Sequence, residues 1–199
     1  MMALDKGLSS IGDTTRRDEL IKALGTTTSF MRRYMPDRQW FVVGGALRDS
    51  DMGRSFKDVD VFIVGKQFDA LPNAGVDRGD RNAYVFRADT VIYRGIEINL
   101  IHMRGTGWTL ESMTDRCDFG ICQIGWCPEQ NTLYRSDDYK TDKSQHQLTL
   151  CRDTAQERLQ RMQKKYPWKL HNPSGFTFRP DSWRYDETKG ALVRLDNKQ

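Results

Sequence analysis

Residues 44–60 read Gly-Gly-Ala-Leu-Arg-Asp-Ser-Asp-Met-Gly-Arg-Ser-Phe-Lys-Asp-Val-Asp, and this stretch decides the predicted fold. The apolar run at residues 40–43, Trp-Phe-Val-Val, predicts a buried strand that ends in the tight Gly-Gly turn. Residues 46–49 predict the start of a helix, and the alternating residues 58–64 predict a second strand. The sequence therefore predicts a strand, a glycine turn, a helix and a strand in succession.

The polar residues of this segment indicate phosphate and metal chemistry. The turn at Gly44 and Gly45 presents backbone N–H groups with no side chain in front of them, which suits a phosphate cradle. Arg48, one turn into the helix, can bridge phosphate oxygens. Asp58 and Asp60 lie two positions apart on a strand, so both carboxylates project from one face. Two carboxylates beside bound phosphates are what Mg²⁺ prefers, and two such ions can activate an attacking hydroxyl and neutralise a pyrophosphate leaving group.

A third carboxylate is predicted on a later strand. Residues 83–93 and 96–102 predict a hairpin that turns at Arg94-Gly95, and Glu97 alternates with apolar residues on its second strand. If this strand lies beside Asp58 and Asp60, Glu97 can join the same metal cluster or accept the proton of the hydroxyl.

The remaining elements follow from weaker patterns. The sequence predicts a loose arm before residue 14, and then a helix that is capped by Thr14 or Thr15 and interrupted at residues 25–28. Residues 65–82 predict a loop with at most a short helix around Phe68. The later predictions are a short helix at 110–114, a strand or packed helix at 119–126, a surface excursion at 128–146, a basic amphipathic helix at 153–166 and an aperiodic tail at 168–199.

The motif Gly-Gly-x-x-Arg-Asp-x-x-x-Gly-Arg-x-x-x-Asp-x-Asp resembles the signature of the DNA polymerase beta-like nucleotidyltransferases. Within them it is most similar to the class II CCA-adding enzymes and bacterial poly(A) polymerases. Residues 116–123 are similar to the family's Arg-Arg-Asp-Phe-Thr-Ile-Asn-Ala run, but they carry Cys117, Gly120 and Cys122 where the family has Arg, Thr and Asn. The basic helix at 158–166 resembles a later family helix, so the resemblance covers residues 40–166.

The resemblance implies an α/β polymerase beta-like fold, with a short mixed sheet flanked by helices, and a metal-dependent transfer of a nucleoside monophosphate from an NTP. It implies ATP or CTP as the NTP, pyrophosphate as the by-product, and two Mg²⁺ ions, which Mn²⁺ can replace. The implied metal-binding and catalytic residues are Asp58, Asp60 and Glu97. The implied nucleotide-binding residues are Gly44, Gly45, Arg48, Arg116, Asp118, Arg158 and Arg161.

The composition of the chain argues against several other classes of protein. The chain has 199 residues, a formal net charge of +4, nine Phe, seven Tyr and five Trp, which favours a globular domain over disorder. No apolar run is long enough for a membrane helix, and the first residues lack a signal core, so we expect a cytoplasmic protein without a membrane partner. The four cysteines form no Cys-x-x-Cys pair, so we expect free thiols and no zinc site.

The predicted organisation is an arm at 1–13, a nucleotidyltransferase domain at 14–150, and a basic helix and tail at 151–199. From Arg152 to Arg184 the net charge is +5, with aromatic residues interleaved, which suits either an RNA acceptor or a strap on the catalytic domain. We expect that the family's RNA-holding domains do not fit after Tyr166, and that so short a chain comes from a compact genome such as a phage's.

Three functions remain open at this stage. The chain can modify an RNA 3′ end such as that of tRNA, it can modify a protein or small molecule as short toxins and antibiotic-modifying enzymes do, or it can be an inactive nucleotide- or RNA-binding module. The intact acidic residues argue against the inactive module.

Overall fold

A computed structural model describes residues 7–65, 71, 75–77, 84–179, 183–186 and 191–194, and within them seven strands form one mixed sheet. The strands are β1 (Trp40–Val43), β2 (Asp58–Val64), β3 (Val76–Asp77), β4 (Val85–Tyr93), β5 (Ile96–Met103), β6 (Ile124–Cys127) and β7 (Thr132–Arg135). Their order is β3-β4-β5-β2-β1-β6-β7. Strand β2 pairs with β5 in parallel, whereas the other neighbours in this sheet are antiparallel.

Helices and shorter strands surround this sheet. The helices are α1 (Thr14–Tyr34), α2 (Gly45–Asp51), α3 (Leu110–Thr114), α4 (Asp137–Gln145) and α5 (Gln156–Lys165), and Gly120–Cys122 forms a 3-10 turn. The short strands are β8 (Gln147–Thr149), β9 (Thr154–Ala155), β10 (Lys169–His171), β11 (Phe178–Arg179), β12 (Trp183–Asp186) and β13 (Ala191–Arg194). Strand β10 pairs with β8 and β11 pairs with β9, both in parallel, while β12 and β13 are antiparallel.

The alternation of β2 determines which face of the sheet carries the core. Val59, Val61 and Ile63 are fully buried in the main hydrophobic cluster, which also takes in apolar residues of α1, α2 and α5. The residues between them face the other way, and Phe62 packs with a smaller cluster that contains residues of α3. Asp58 and Asp60 lie on this second face, so the pleat separates the acids from the main core.

The elements predicted around the glycine turn are confirmed. The structure has β1, α2 and β2 in the predicted order, and the hairpin of β4 and β5 turns at Arg94 and Gly95. Both turn residues have positive φ, 48° and 78°, which matches the right-handed twist of a two-residue hairpin. The mixed α/β fold with helices beside the sheet is therefore as expected.

The prediction of an interrupted first helix was wrong. Helix α1 runs without a break through the Gly-Thr-Thr-Thr stretch, and its N-cap is Asp13, which accepts a hydrogen bond from the Arg16 amide at 3.0 Å. Leu24, Thr27 and Phe30 are fully buried along this stretch. Burial of one face against the sheet outweighs the poor helix propensity of glycine and threonine.

Two polar segments are also more structured than predicted. In the described part of the arm, Leu8 and Ile11 are fully buried in the main core, so residues 7–13 pack against the domain. The segment 128–146 contains β7 and α4 instead of a surface excursion, and Tyr139 and Asp142 of α4 are buried. A few anchoring side chains suffice to hold segments whose average composition is polar.

Helix α5 packs on the same core as the sheet. Leu159 and Met162 of this helix, and Tyr166, which follows it, belong to the main core. The short helix predicted around Phe68 and residues 1–6 of the predicted arm lie outside the described residues. Among the described helices, none has the length and apolar character needed to cross a membrane.

Candidate functional site

The glycine turn brings α2 against the end of β2. Gly44 has φ 82°, a conformation that glycine adopts readily, and its N–H donates to the Ile124 carbonyl at 2.8 Å. A Cβ on Gly45 would lie 3.6 Å from Asp60 Oδ2. The missing side chain therefore keeps space between the turn and this carboxylate, on the same side as the predicted phosphate cradle.

Asp60 is held by a row of polar side chains that crosses the sheet. Asp60 is paired with Asn99 in the parallel register of β2 and β5, and Asn99 Nδ2 donates to Asp60 Oδ1 at 2.9 Å. Asn99 Oδ1 accepts from the Thr90 hydroxyl at 2.8 Å, which fixes the orientation of the amide. Asp58 lies two residues before Asp60 on the same face of β2. Side chains of three adjacent strands thus position the Asp60 carboxylate, and Asp58 lies beside it.

Glu97 lies beside the aspartates without joining their cavity. It is the register partner of Asp58, as the sequence analysis anticipated. Its carboxylate, however, accepts from Lys57 Nζ at 3.0 Å and does not line the cavity that contains Asp58 and Asp60. The strand pairing was therefore foreseeable, whereas the engagement of Glu97 by Lys57 was not.

A cavity of about 310 Å³ lies between the turn, the two aspartates and helix α5. It combines acids with cationic side chains, and it has both apolar residues and a pair of cysteines in its wall. Its lining includes Gly44, Gly45, Arg48, Asp49, Phe56, Lys57, Asp58, Asp60, Phe62, Asn99, Cys117, Cys122, Arg158 and Lys165. Of the predicted site residues, Gly44, Gly45, Arg48, Asp58, Asp60 and Arg158 line this cavity, and Glu97, Arg116, Asp118 and Arg161 do not.

Arg48 is built into the wall of the cavity by a buried network. Its Nε donates to Asp49 Oδ1 at 2.9 Å and to the Tyr166 hydroxyl at 3.1 Å. Asp49 also accepts from the Tyr166 hydroxyl at 2.7 Å and from Lys165. Burial acts to raise the pKa of Asp49, but the Arg48 cation and the hydrogen bonds from Arg48, Lys165 and Tyr166 hold that pKa below its ordinary value. The network fixes one edge of the guanidinium and ties α5 to α2.

Asp118 does not line the cavity, but it contacts Arg158, which does. Its Oδ2 accepts from the Thr154 hydroxyl at 2.6 Å and from Arg158 Nε at 3.2 Å. Arg158 itself lines the cavity, and its pKa is raised because the charges around it, including that of Asp118, outweigh the effect of burial. Asp118 thus positions a cationic wall residue in this structure.

Arg116 and Arg161 lie elsewhere. The Arg116 guanidinium carbon lies 3.6 Å from the ring centroid of Tyr84 and 4.8 Å from that of Trp108. Arg161 is exposed on α5. The nucleotide contacts that the resemblance implies for both arginines stay predictions, and neither side chain lines the cavity.

Sequence reasoning missed Asn99, Lys57 and Lys165. Lys57 directly precedes the first aspartate, and Lys165 ends a helix whose other basic residues had been considered. Asn99 follows Glu97 by two positions, so strand alternation places it on the same face. That alternation is the signal that could have identified it.

The donor set at the cavity suits a magnesium ion that shares its coordination with phosphate. Asp58 and Asp60 supply carboxylate oxygens, and the missing side chain at Gly45 keeps room in front of Asp60. Within the part of the chain that the structure describes, no three His, Cys, Asp or Glu side chains form a metal-binding group. Two protein carboxylates are enough where substrate phosphates and water complete the shell.

Comparison with known proteins identifies the fold. No family model matches the chain, and neither does any curated protein. Among solved structures, the Thermotoga maritima CCA-adding enzyme complexed with tRNA matches with a TM-score of 0.54 and 18% identity, over 86% of this chain and 43% of that chain. A CCA-adding enzyme with ATP gives 0.55 and 17%, over 84% and 42% of the two chains. The Bacillus stearothermophilus CCA-adding enzyme with CTP gives 0.52 and 16%, over 75% and 41%.

The TM-scores show a common fold despite identities below 20%. The chain spans about two-fifths of the length of the solved structures that it matches, at 43%, 42% and 41%. Its mixed sheet and helices therefore form the nucleotidyltransferase fold found in CCA-adding enzymes.

Proposed function

We propose that this chain transfers a nucleoside monophosphate from an NTP to the 3′ end of an RNA and releases pyrophosphate in a metal-dependent reaction. The observation that carries the proposal is the placement of Asp58 and Asp60 opposite the Gly44-Gly45 turn in one cavity. Carboxylates alone would repel a triphosphate, but cationic side chains line the same cavity. The combination is what binding of a metal–nucleotide complex requires.

Each part of the cavity has a role in this reaction. Backbone N–H groups at the glycine turn and the cations Lys57, Arg158 and Lys165 hold the phosphates, and Arg48 stiffens the wall between them. Asp58 and Asp60 hold Mg²⁺, for which Mn²⁺ can substitute. The bound metal neutralises charge on the phosphates and favours ionisation of the attacking hydroxyl. The protein contributes positioning and a prearranged electrostatic environment.

The choice of NTP and acceptor is supported by the similar folds. Structures similar to this chain include CCA-adding enzymes with ATP, with CTP and with tRNA. ATP or CTP as donor and a tRNA-like 3′ end as acceptor are therefore the substrates that we propose. Glu97 is proposed as an auxiliary group beside Asp58, weaker in effect than the two aspartates because Lys57 engages it.

Replacement of both aspartates tests the reaction. The double variant Asp58→Asn with Asp60→Asn is expected to reduce incorporation of labelled nucleotide about 1000-fold or more, because several kcal/mol of charge stabilisation disappear. Each of the four labelled NTPs is incubated separately with Mg²⁺, total RNA and purified protein. The labelled species is then separated by gel, and released pyrophosphate is measured in the same samples.

Asp137→Asn is the matched control, since its carboxylate is 97% exposed on α4 and lies outside the cavity. It should label RNA as the wild type does, and Glu97→Gln should lose less than the double variant. Incorporation that survives in the folded double variant would refute the proposed metal site. Label found in protein or in a small molecule would show that this molecule, and not RNA, is the acceptor. A lack of pyrophosphate release with all four NTPs would indicate a binding module.

A further inference from the structure

An arginine lies between two aromatic rings on the surface beside the cavity. Arg116 contacts the ring of Tyr84 at 3.6 Å and that of Trp108 at 4.8 Å, measured from the guanidinium carbon to each centroid. The two rings are perpendicular, with centroids 6.2 Å apart. We call Tyr84, Trp108 and Arg116 the aromatic platform. Cation–π stacking gives it a defined geometry.

Backbone hydrogen bonds hold the aromatic platform together. The Arg104 amide donates to the Tyr84 carbonyl at 2.7 Å, and Trp108 Nε1 donates to the Arg104 carbonyl at 2.8 Å. Arg152 Nη1 donates to the Arg116 carbonyl at 2.7 Å. These contacts fix Tyr84, the loop after β5 and the residues that follow α3 relative to one another. They place the Arg152 guanidinium at the platform, and the Arg104 guanidinium lies 5.5 Å from the ring centroid of Phe86, two residues from Tyr84.

Tyr84 remains accessible in this arrangement. It is 41% exposed, and it is the only exposed Phe, Tyr or Trp side chain among the residues whose burial the structure describes. Arg116 covers one face of its ring, so part of the ring surface is available to a planar ligand. Exposed aromatic rings beside arginines are the features with which proteins stack bases and contact the phosphates of single-stranded nucleic acid.

The aromatic platform borders the proposed active cavity. Arg116 is followed directly by Cys117, which lines the cavity, and the adjacent α-carbons of a trans peptide are about 3.8 Å apart. Trp108 packs against the same small apolar cluster as Cys117 and Phe62, both of which line the cavity. The end of a single-stranded RNA bound on the aromatic platform would thus lie next to Asp58 and Asp60.

We propose that the aromatic platform is the binding site for the single-stranded 3′ end of the RNA acceptor, with a base stacked on Tyr84 and phosphates near Arg104, Arg116 and Arg152. This proposal rests on the proposed function for its acceptor, but RNA binding is measurable without the transfer reaction. It also gives Arg116 a role different from the nucleotide contact that its motif implies.

Fluorescence anisotropy with a labelled eight-nucleotide RNA, without NTP, tests the aromatic platform. Tyr84→Ala is expected to weaken binding about tenfold, within the range for loss of one base–aromatic stack. Tyr84→Phe should bind within about twofold of the wild type, because the ring and not the hydroxyl carries the stack. Ile92→Ala, at a 71% exposed position of β4, the strand that Tyr84 directly precedes, is the matched control and should bind like the wild type.

A second ligand separates stacking from charge. The same RNA with abasic residues at its 3′ end should bind the wild type about tenfold more weakly, and should bind Tyr84→Ala equally weakly. The proposal is overturned if folded Tyr84→Ala binds the intact RNA normally, if the abasic RNA binds as tightly as the intact one, or if the wild type binds no RNA. ATP binding with Mg²⁺, measured separately, reports on the proposed function and should be unchanged in Tyr84→Ala.

Discussion

The neutral side chain of Asn99 sets the orientation of the Asp60 carboxylate. Its amide nitrogen donates to Asp60 at 2.9 Å, and its amide oxygen accepts from Thr90 at 2.8 Å, so the side chain has a single favourable orientation. Groups that hydrogen-bond to a metal ligand set the direction of its lone pairs, and their loss typically weakens metal binding. Asn99 is in this sense a positioning residue for the proposed metal site.

Asn99→Ala should therefore raise the Mg²⁺ concentration needed for half-maximal nucleotide incorporation by about 10- to 100-fold. Thr90→Val should shift the same midpoint less, because Asn99 keeps its bond to Asp60. Thr132→Ala, at an exposed position of β7, should leave the midpoint unchanged. A purely structural role for Asn99 would lower thermal stability without moving the Mg²⁺ midpoint, and that result would contradict the assignment.

The site residues differ in how far the sequence could predict them. Asp58 and Asp60 could be placed because strand alternation and the glycine turn are local features. The neighbouring strand was also foreseeable, but its register decides whether Glu97 or Asn99 meets Asp60. Register is set by pairing across the sheet and by the core beneath it, so it requires contacts between distant parts of the chain.

Among the secondary-structure elements, α2 is anchored at its end by a buried carboxylate. The Asp51 side chain is fully buried and accepts from Arg135 Nη2 at 2.8 Å, from Lys143 Nζ at 2.8 Å and from the Tyr139 hydroxyl at 2.5 Å. These partners belong to β7 and α4. Burial acts to raise the pKa of Asp51, but these hydrogen bonds lower it below its ordinary value. Asp51 thus joins three elements through one charge.

Asp51→Ala should lower the free energy of unfolding by about 1–3 kcal/mol at pH 7, because it leaves the buried Tyr139 hydroxyl without its acceptor and removes the carboxylate that Arg135 and Lys143 contact. A lowered folded-state pKa contributes stability above the unfolded pKa of about 3.9, and that contribution is lost as the pH falls toward the folded pKa. The difference between wild type and variant should therefore shrink below about pH 4. Urea unfolding at pH 7 and pH 3 measures it, with Asp137→Ala as the exposed control. An equal difference at both pH values would exclude this origin.

The elements themselves were predictable where one local pattern dominates. Strands β1 and β2 have continuous or alternating apolar residues, and α3 begins at Thr109, which caps it through the Ser112 amide. Helix α4 has a capping serine, Ser136, but no apolar periodicity. It is tied to the domain by Asp142, which accepts from the Thr149 hydroxyl at 2.5 Å and from the Ile121 amide at 2.8 Å, and Ile121 lies 21 residues earlier in the chain.

At the scale of the whole molecule, the cavity is enclosed by residues from opposite ends of the domain. Gly45 and Asp49 come from the early helix α2, whereas Arg158 and Lys165 come from α5. Tyr166 completes the contact by hydrogen bonds to both Arg48 and Asp49. A ligand in the cavity would therefore contact segments that are far apart in sequence, and its binding would stabilise both of them.

ATP with Mg²⁺ should slow backbone hydrogen exchange in α2 and α5 together. Ligand bound at about 100 times its dissociation constant stabilises the binding-competent state by about 2.7 kcal/mol, so protection should rise by up to about 100-fold. Exchange in α4, which does not line the cavity, should change little. Mass spectrometry of peptides from residues 45–51, 137–145 and 156–165 measures this. Protection of α2 without α5 would show that α5 does not close on the nucleotide.

The parallel pairing of β2 with β5 also affects how the molecule folds. The antiparallel strands β4 and β5 meet through a two-residue turn, whereas β2 reaches β5 only across the connection at residues 65–95. Closing the longer loop costs more chain entropy, and contacts between residues distant in sequence form slowly. The hairpin should therefore form before β2 joins it, so a chain that is helical and partly paired still lacks the cavity. Catalytic competence should appear late in refolding, after most secondary structure has formed.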